Sequence, residues 1–287
     1  MDQGKGSVKA VPPDVASETG VTGLHRVTPG EGRALHACLR EHWPASVKFI
    51  GQLDEEGGDF GHWWTERWPR PRAVLCKGRR AFSMFAADEE AAERILDGVD
   101  WSREIRFSGL DHRFLPLLKA RTNDVSEHPC GMYRLERAAF RPFRAADPDT
   151  RLVEPLRRED AALVTRHWSY GDGEEYPLSR IEGAPTACVR VEGVPAAWAL
   201  VHYDGSIGMV HTLEAHRRKG YARAVVSALV EKRFRAERAP YCFIVEGNHV
   251  SERLFEDLGF FRQADLSWVH CAPGEQSSDT GEPRCDL

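Results

Sequence analysis

Between residues 185 and 213, apolar and polar positions alternate in three short runs, 185–191, 195–203 and 206–213, separated by Glu192-Gly193 and Asp204-Gly205. Two-residue turns of this kind join antiparallel strands, because their central positions need positive φ, which glycine adopts freely. The pattern therefore predicts two consecutive hairpins. The period then changes. Ala222, Val225, Val226, Leu229 and Val230 recur at helical spacing and predict a long helix over 218–238. A strand over 241–245 comes next, then a helix over 248–258 stopped by Gly259, and a last strand over 261–271. Upstream, 157–168 reads as a helix with Asp160 near its start. The polar stretch 171–177 reads as a loop before a short helix at 178–181.

The first half is less regular. A helix is expected over 30–42, with Leu35 and Leu39 on one face, and an alternating strand over 46–53, with Val47, Phe49 and Gly51 to one side. Short strands are expected at 73–76 and 81–85, then a helix at 88–96, a strand at 104–107 and a helix at 110–120. Pro142, Asp147 and Pro148 break the pattern. The fold class expected is α/β with a mixed sheet, in two folded parts, 25–146 and 150–273. Residues 1–24 and 274–287 are polar, rich in Gly, Pro and Ser, and expected to form a disordered arm and tail.

Composition narrows the function classes. Eight Trp and thirteen Phe in 287 residues exclude a chain disordered throughout. The longest clean apolar runs, such as 196–201, fall far short of the roughly 20 residues of a membrane span. With 39 basic residues against 44 acidic, the net charge of −5 gives no reason to expect a nucleic-acid partner. The seven cysteines form no Cys-x-x-Cys pair, so free thiols in a reducing compartment are expected. No His-x-x-x-His pair or Gly-x-Ser-x-Gly elbow occurs, so no metal site and no serine hydrolase are expected. No secretory segment is visible, and the chain reads as soluble and intracellular.

The chemistry is concentrated where a strand meets the long helix, at Arg217-Arg218-Lys219-Gly220-Tyr221-Ala222-Arg223. A helix N-terminus already carries about half a positive charge, so three cations there are unfavourable unless an anion joins them. The first turn also leaves backbone N–H groups without partners, and these suit a phosphate. Gly220 lets an anion approach the backbone, and Ala222 keeps the following position small. Across 217–238, eight basic residues stand against two acidic ones. A solvated basic helix face would show the same six-residue pattern.

The segments around the loop tip that balance. Arg217-x-x-Gly220-x-Ala222 after a strand resembles the acyl-CoA pyrophosphate loop of the GNAT acyltransferase superfamily. Asn248-x-x-Ser251-x-x-Leu254-Phe255-x-x-Leu258-Gly259-Phe260 is similar to that superfamily's second motif, a helix beside the pantetheine arm. Within the superfamily the chain resembles the glycine N-acyltransferase and glycine N-acyltransferase-like family. The stretches 43–51, 67–75, 167–171, 212–221 and 267–273 carry that likeness, which spans about 25–273.

The resemblance implies a GNAT domain over 150–273 and a family-specific α/β domain over 25–146. It also implies transfer of an acyl group from acyl-CoA, a co-substrate and not a resident cofactor, to the amine of glycine or a similar amino acid. Val210 and Thr212 would offer main-chain groups to pantetheine. Residues Arg217, Arg218, Lys219, Gly220, Tyr221, Ala222 and Arg223 would surround the pyrophosphate, with Asn248 and Ser251 near the pantetheine arm. Two alternatives stand beside this reading: an acyltransferase acting on a protein or other amine, and a catalytically weak acyl-CoA-binding protein. Family likeness points to mitochondria, while acidic residues in the arm point to the cytoplasm.

The amine of an amino acid is mostly protonated at pH 7, so its attack needs a proton acceptor. Where the resemblance places a glutamate, eleven residues before Arg217, this chain has Ser206. His211 on the same strand, His202 on the preceding strand, and water are the substitutes. His211 is taken as the catalytic candidate, against the plainer reading of a strand histidine that merely packs. Phe255 occupies the position of the superfamily's frequent tyrosine acid.

Overall fold

The computed structural model describes residues 19–55, 62–78, 80–143, 153–168 and 173–273. Among these, twelve strands form two sheets. The hairpin region builds the smaller sheet from β7 (Val153–Glu154), β8 (Thr186–Val191), β9 (Val194–Val201) and β10 (Ile207–Thr212), in the order β10-β9-β8-β7. The first expected turn is present, with Glu192 and Gly193 at φ of 53° and 81°; the second is a three-residue loop, Tyr203 to Gly205, in which Gly205 N donates to His202 O and Gly205 takes the positive φ, 86°.

The larger sheet has the order β1-β2-β3-β4-β5-β12-β6-β11. Its strands are β1 (His25–Arg26), β2 (Trp63–Thr65), β3 (Ala73–Lys77), β4 (Phe82–Ala86), β5 (Ile105–Asp111), β6 (Val125–Arg134), β11 (Tyr241–Val245) and β12 (Phe261–Cys271). All neighbours are antiparallel except β4 and β5. The last strand of the chain, β12, pairs with β5 on one edge and β6 on the other, and β6 in turn carries β11. One ladder therefore runs through strands from both halves of the sequence.

The helices are α1 (Gly32–Glu41), α2 (Val47–Glu55), α3 (Glu89–Asp97), α4 (Leu115–Lys119), α5 (Ala161–Arg166), α6 (Glu175–Gly183), α7 (Tyr221–Arg235) and α8 (His249–Asp257). The stripe Val225, Val226, Leu229 and Val230 on α7 packs on Ala197, Ala199 and Val201 of β9 and on Cys242 and Ile244 of β11. Burying each such aliphatic side chain contributes about 1.5–3 kcal/mol. On the opposite face of the smaller sheet, Val164 of α5 and Ile181 of α6 pack on Cys188, Trp198 and Leu200.

Several elements differ from the sequence reading. Residues 46–53 form no strand; 47–53 belong to α2, in which every residue from Val47 to Leu53 is buried. Val47 joins Cys130, Met132, Tyr241 and Leu266, whereas Phe49, Ile50 and Leu53 face Leu35, Trp63 and Phe85. The polar residues of α2, Lys48 and Gln52, are buried as well, and the opening Val47-Lys48-Phe49 alternates as a strand would. Strand β5 runs on to Asp111, whose carboxylate accepts from Arg113 N, so the helix expected over 110–120 shrinks to α4. Glu175 to Pro177 open α6 and are not loop. Val21, expected in the disordered arm, is buried and bridges Val99; residues 1–18 and 274–287 lie outside the described residues. The tryptophans Trp63 and Trp64 are core residues.

Candidate active site

Strands β10 and β11 lie side by side at the edges of the two sheets, and among the described residues no backbone hydrogen bond joins them. Each strand thus presents an unpaired main-chain edge to the gap. Within β10 the register slips: Gly208 faces Leu200 and His211 faces Trp198, so Met209 and Val210 oppose Ala199 alone. This is a β-bulge, with Met209 at φ 48°, and it turns the Met209-Val210 backbone out of the ladder. Val210 packs toward α7, while Thr212 ends the strand with its Oγ1 buried and without a hydrogen-bond partner.

Beyond β10 the chain enters the cationic loop. Helix α7 begins at Tyr221, not at Arg218, because Arg218 has φ 63° and Gly220 has φ 81°, values a right-handed helix excludes. Arg217, Arg218 and Lys219 therefore stand before the helix, all exposed. Gly220 serves as the N-cap and supplies no side-chain acceptor, so the first-turn N–H groups point outward uncapped. A Cβ on Gly220 would lie 2.6 Å from Cζ of Phe143, which holds its place through Phe143 N donating to Ser227 Oγ at 3.1 Å. His216, between Thr212 and the loop, keeps a buried Nδ1 without a partner.

Charge pairing along this segment is uneven. Arg223 pairs with Asp257, Arg235 with Glu231, and both Arg233 and Arg238 with Glu55, but Arg217, Arg218 and Lys219 meet no carboxylate among the described residues. Lys219 Nζ instead lies 6.0 Å from the centre of the buried Tyr221 ring, and Ala222 is half-buried beside it. Asn248 and Ser251 lie past the end of β11, where Asn248 Oδ1 accepts from Ser251 N at 3.2 Å and caps α8.

His211 stacks against two rings, Trp198 at 4.9 Å and His167 at 4.4 Å between centroids, which themselves lie 5.8 Å apart. Burial lowers its pKa from the ordinary imidazole value, and the charges of His167 and Arg217 add to the effect. Ser206 is buried; its Oγ donates to Asp204 Oδ1 at 2.6 Å and its N to the same oxygen at 3.0 Å, so the residue closes the turn. His202 is joined to Tyr176, whose hydroxyl oxygen lies 2.8 Å from Nδ1. Burial lowers the pKa of His202; Asp204 opposes that shift and Arg180 reinforces it. The Tyr176 contact spans 26 residues of sequence, and no local pattern announces it. Phe255 is a core residue. The thiol of Cys188 is pushed up to about 12 and that of Cys271 to about 11 by burial, which leaves both protonated and unreactive.

Comparison with known proteins separates fold from particulars. The chain has the GNAT fold: a GCN5-related N-acetyltransferase from Kribbella flavida superposes with a TM-score of 0.53 at 16% identity, covering 84% of this chain and 98% of that one. A Drosophila protein solved by X-ray gives a TM-score of 0.72 at 18% identity, over 87% of this chain and 98% of that one. The FR47-like protein family matches residues 190–269. Human glycine N-acyltransferase-like protein 1 is 23% identical over 282 residues, which is 82% of this chain and 92% of that protein. The chain is thus a GNAT-fold protein similar to the glycine N-acyltransferase-like proteins, and this similarity supports an acyltransferase. Among the described residues no helix is long and apolar enough to cross a membrane.

Proposed function

We infer that this chain transfers an acyl group from acyl-CoA to the amine of a small amino acid, glycine being the first acceptor to test. The observation that carries the reading is the loop of Arg217, Arg218 and Lys219, three exposed cations that meet no carboxylate among the described residues and precede an uncapped helix start, whereas Lys232, also without a carboxylate, donates to Thr186 O at 2.6 Å. An acyl-CoA pyrophosphate supplies the anion that such a loop needs. The orphaned Thr212 Oγ1 and His216 Nδ1 lie at the same end of β10 and support a polar ligand there.

This arrangement suits acyl transfer. Pantetheine pairs with the open edge of β10 through main-chain groups of Val210 and Thr212, while Tyr221 to Arg223 hold the loop's helical side and Asn248 and Ser251 border the far side of the gap. The bulge at Met209-Val210 aims backbone dipoles at the thioester carbonyl, where negative charge develops during attack. The amine nitrogen bonds to the carbonyl carbon, the C–S bond breaks, and CoA leaves as thiolate. One amine proton must pass to an acceptor, for which His211 and His202 are the imidazole candidates on the face opposite α7.

The test is release of free CoA thiol by the purified protein, with a panel of acyl-CoAs and glycine present or absent. Glycine-dependent release, with N-acylglycine identified by mass spectrometry, is expected. Release driven by other amines but not by glycine would transfer the reading to another acceptor. Acyl-CoA binding with no release from any amine would replace it with a binding protein, the outcome that Ser206 in place of a carboxylate favours.

A further inference from the structure

We propose that His202, oriented by Tyr176, accepts the proton from the acceptor amine. This inference rests on the acyl-transfer reading above. Four observations converge on the residue. Ser206, at the start of β10, is committed to closing the turn through Asp204 and offers no base. The imidazole of His202 lies over Gly208 so closely that a Cβ there would be 2.2 Å from Nε2 and 2.6 Å from Cδ2. Gly208 directly precedes the Met209-Val210 bulge, so Nε2 stands beside the segment that faces the thioester. Finally, Tyr176 holds the other ring nitrogen at 2.8 Å, and Trp168 stacks on Tyr176 with centroids 5.3 Å apart.

The chemistry requires one tautomer. Nδ1–H donates to the Tyr176 oxygen, which leaves the lone pair of Nε2 free. As the amine nitrogen bonds to the thioester carbon, its proton passes to Nε2, and His202 later returns that proton to solvent. The charged groups facing the ring are Asp204, which favours the imidazolium, and Arg180 of α6, whose Nε donates to Val201 O at 3.1 Å and which disfavours it. Lys48 of α2 also interacts with Asp204; its Nζ is buried, donates to Ser108 Oγ at 3.1 Å, and titrates low because of that burial. Tyr176 is a positioning residue. His211, farther along β10, packs in a cluster with Trp198 and His167.

The experiment compares the unsubstituted protein with His202→Gln, His211→Gln and Tyr176→Phe, measuring kcat against pH and acyl-CoA Kd. His202→Gln should lower kcat about 100-fold or more while leaving Kd unchanged. A larger loss of kcat in His211→Gln than in His202→Gln would move the role to His211 and overturn the assignment. Tyr176→Phe removes the acceptor for Nδ1–H, destabilises the imidazolium, and should lower kcat while moving the acid limb of the profile to lower pH. Imidazole nitrogen NMR of the unsubstituted protein reads the tautomer without any substitution, so the test survives a variant that fails to fold. A proton found on Nε2, or full kcat in His202→Gln, overturns the assignment alone. An unsubstituted protein that forms no amide from any amine overturns the acyl-transfer reading and this inference with it.

Discussion

The two ends of α7 carry similar sequences and opposite circumstances. At the C-terminal end Arg233 is 2% exposed and pairs with Glu55, which Arg238 also reaches at 3.0 Å, so α2 and α7 are tied across the two halves of the chain. Cations at that end also suit the helix dipole. At the N-terminal end three exposed cations oppose the dipole and find no carboxylate among the described residues. A basic helix face that is merely structural resembles the first end. The second end is what a bound anion would complete, and the difference separates charges paired within the fold from those that the proposed acyl-CoA site would use.

The contrast can be broken most forcefully at Arg233. Arg233→Ala leaves Glu55 buried without its main partner and should destabilise the protein by about 3–5 kcal/mol, read as a lower denaturant midpoint. Acyl-CoA affinity, measured where the variant remains folded, should change little. A variant with unchanged stability would remove the structural role assigned to that end.

Replacing Arg217, Arg218 and Lys219 together by Gln should do the reverse. Acyl-CoA affinity should fall about 100-fold by calorimetry, since a hydrogen bond to a charged group contributes about 1.5–3 kcal/mol. Thermal stability should hold or rise slightly, because like charges at a positive helix end are removed. The parent's affinity should also weaken as salt is raised, and the variant's much less. Loss of stability with full affinity would reverse the roles of the two ends.

The smallest effect is a pH dependence. His202 and His211 both titrate below the ordinary value of 6.5 because burial favours the neutral ring. The unfolded chain therefore binds more protons than the native one in the window from 6.5 down to the lowered values. Stability from these groups is complete above pH 6.5 and is lost as pH falls through that window. Denaturant unfolding of His202→Gln and His211→Gln should show a flatter pH profile there than the parent, and an equal slope in all three would refute the assignment.

The legible parts of the fold are those with short-range causes. Both hairpins are readable from turn residues that need positive φ, α7 and α8 from their spacing, and β11 and β12 from apolar alternation. Strand β6 is not, because Pro129 and Gly131 interrupt its apolar pattern, although it stands between β11 and β12. Helix α2 reads as a strand because Val47, Lys48 and Phe49 open it with apolar–polar alternation; its Gly51 comes so close to the β9–β10 turn that a Cβ would lie 2.1 Å from Asp204 O. In the candidate site, the cationic loop is visible as a run of charge at a helix start. The Tyr176 contact, the seat of His202 on Gly208 and the use of Ser206 as a turn closure are not.

By itself, then, the sequence determined the local elements from residue 186 onward, the position of the cationic loop and the likeness to glycine N-acyltransferase-like proteins, since backbone preference and side-chain period act over a few residues. Only the tertiary structure decided that strands from both halves share one sheet, that β10 and β11 part beside a bulge, which cations find partners, and which imidazole lies over Gly208. Those outcomes depend on contacts between residues far apart in the chain, where burial and pairing, not local propensity, set the energy.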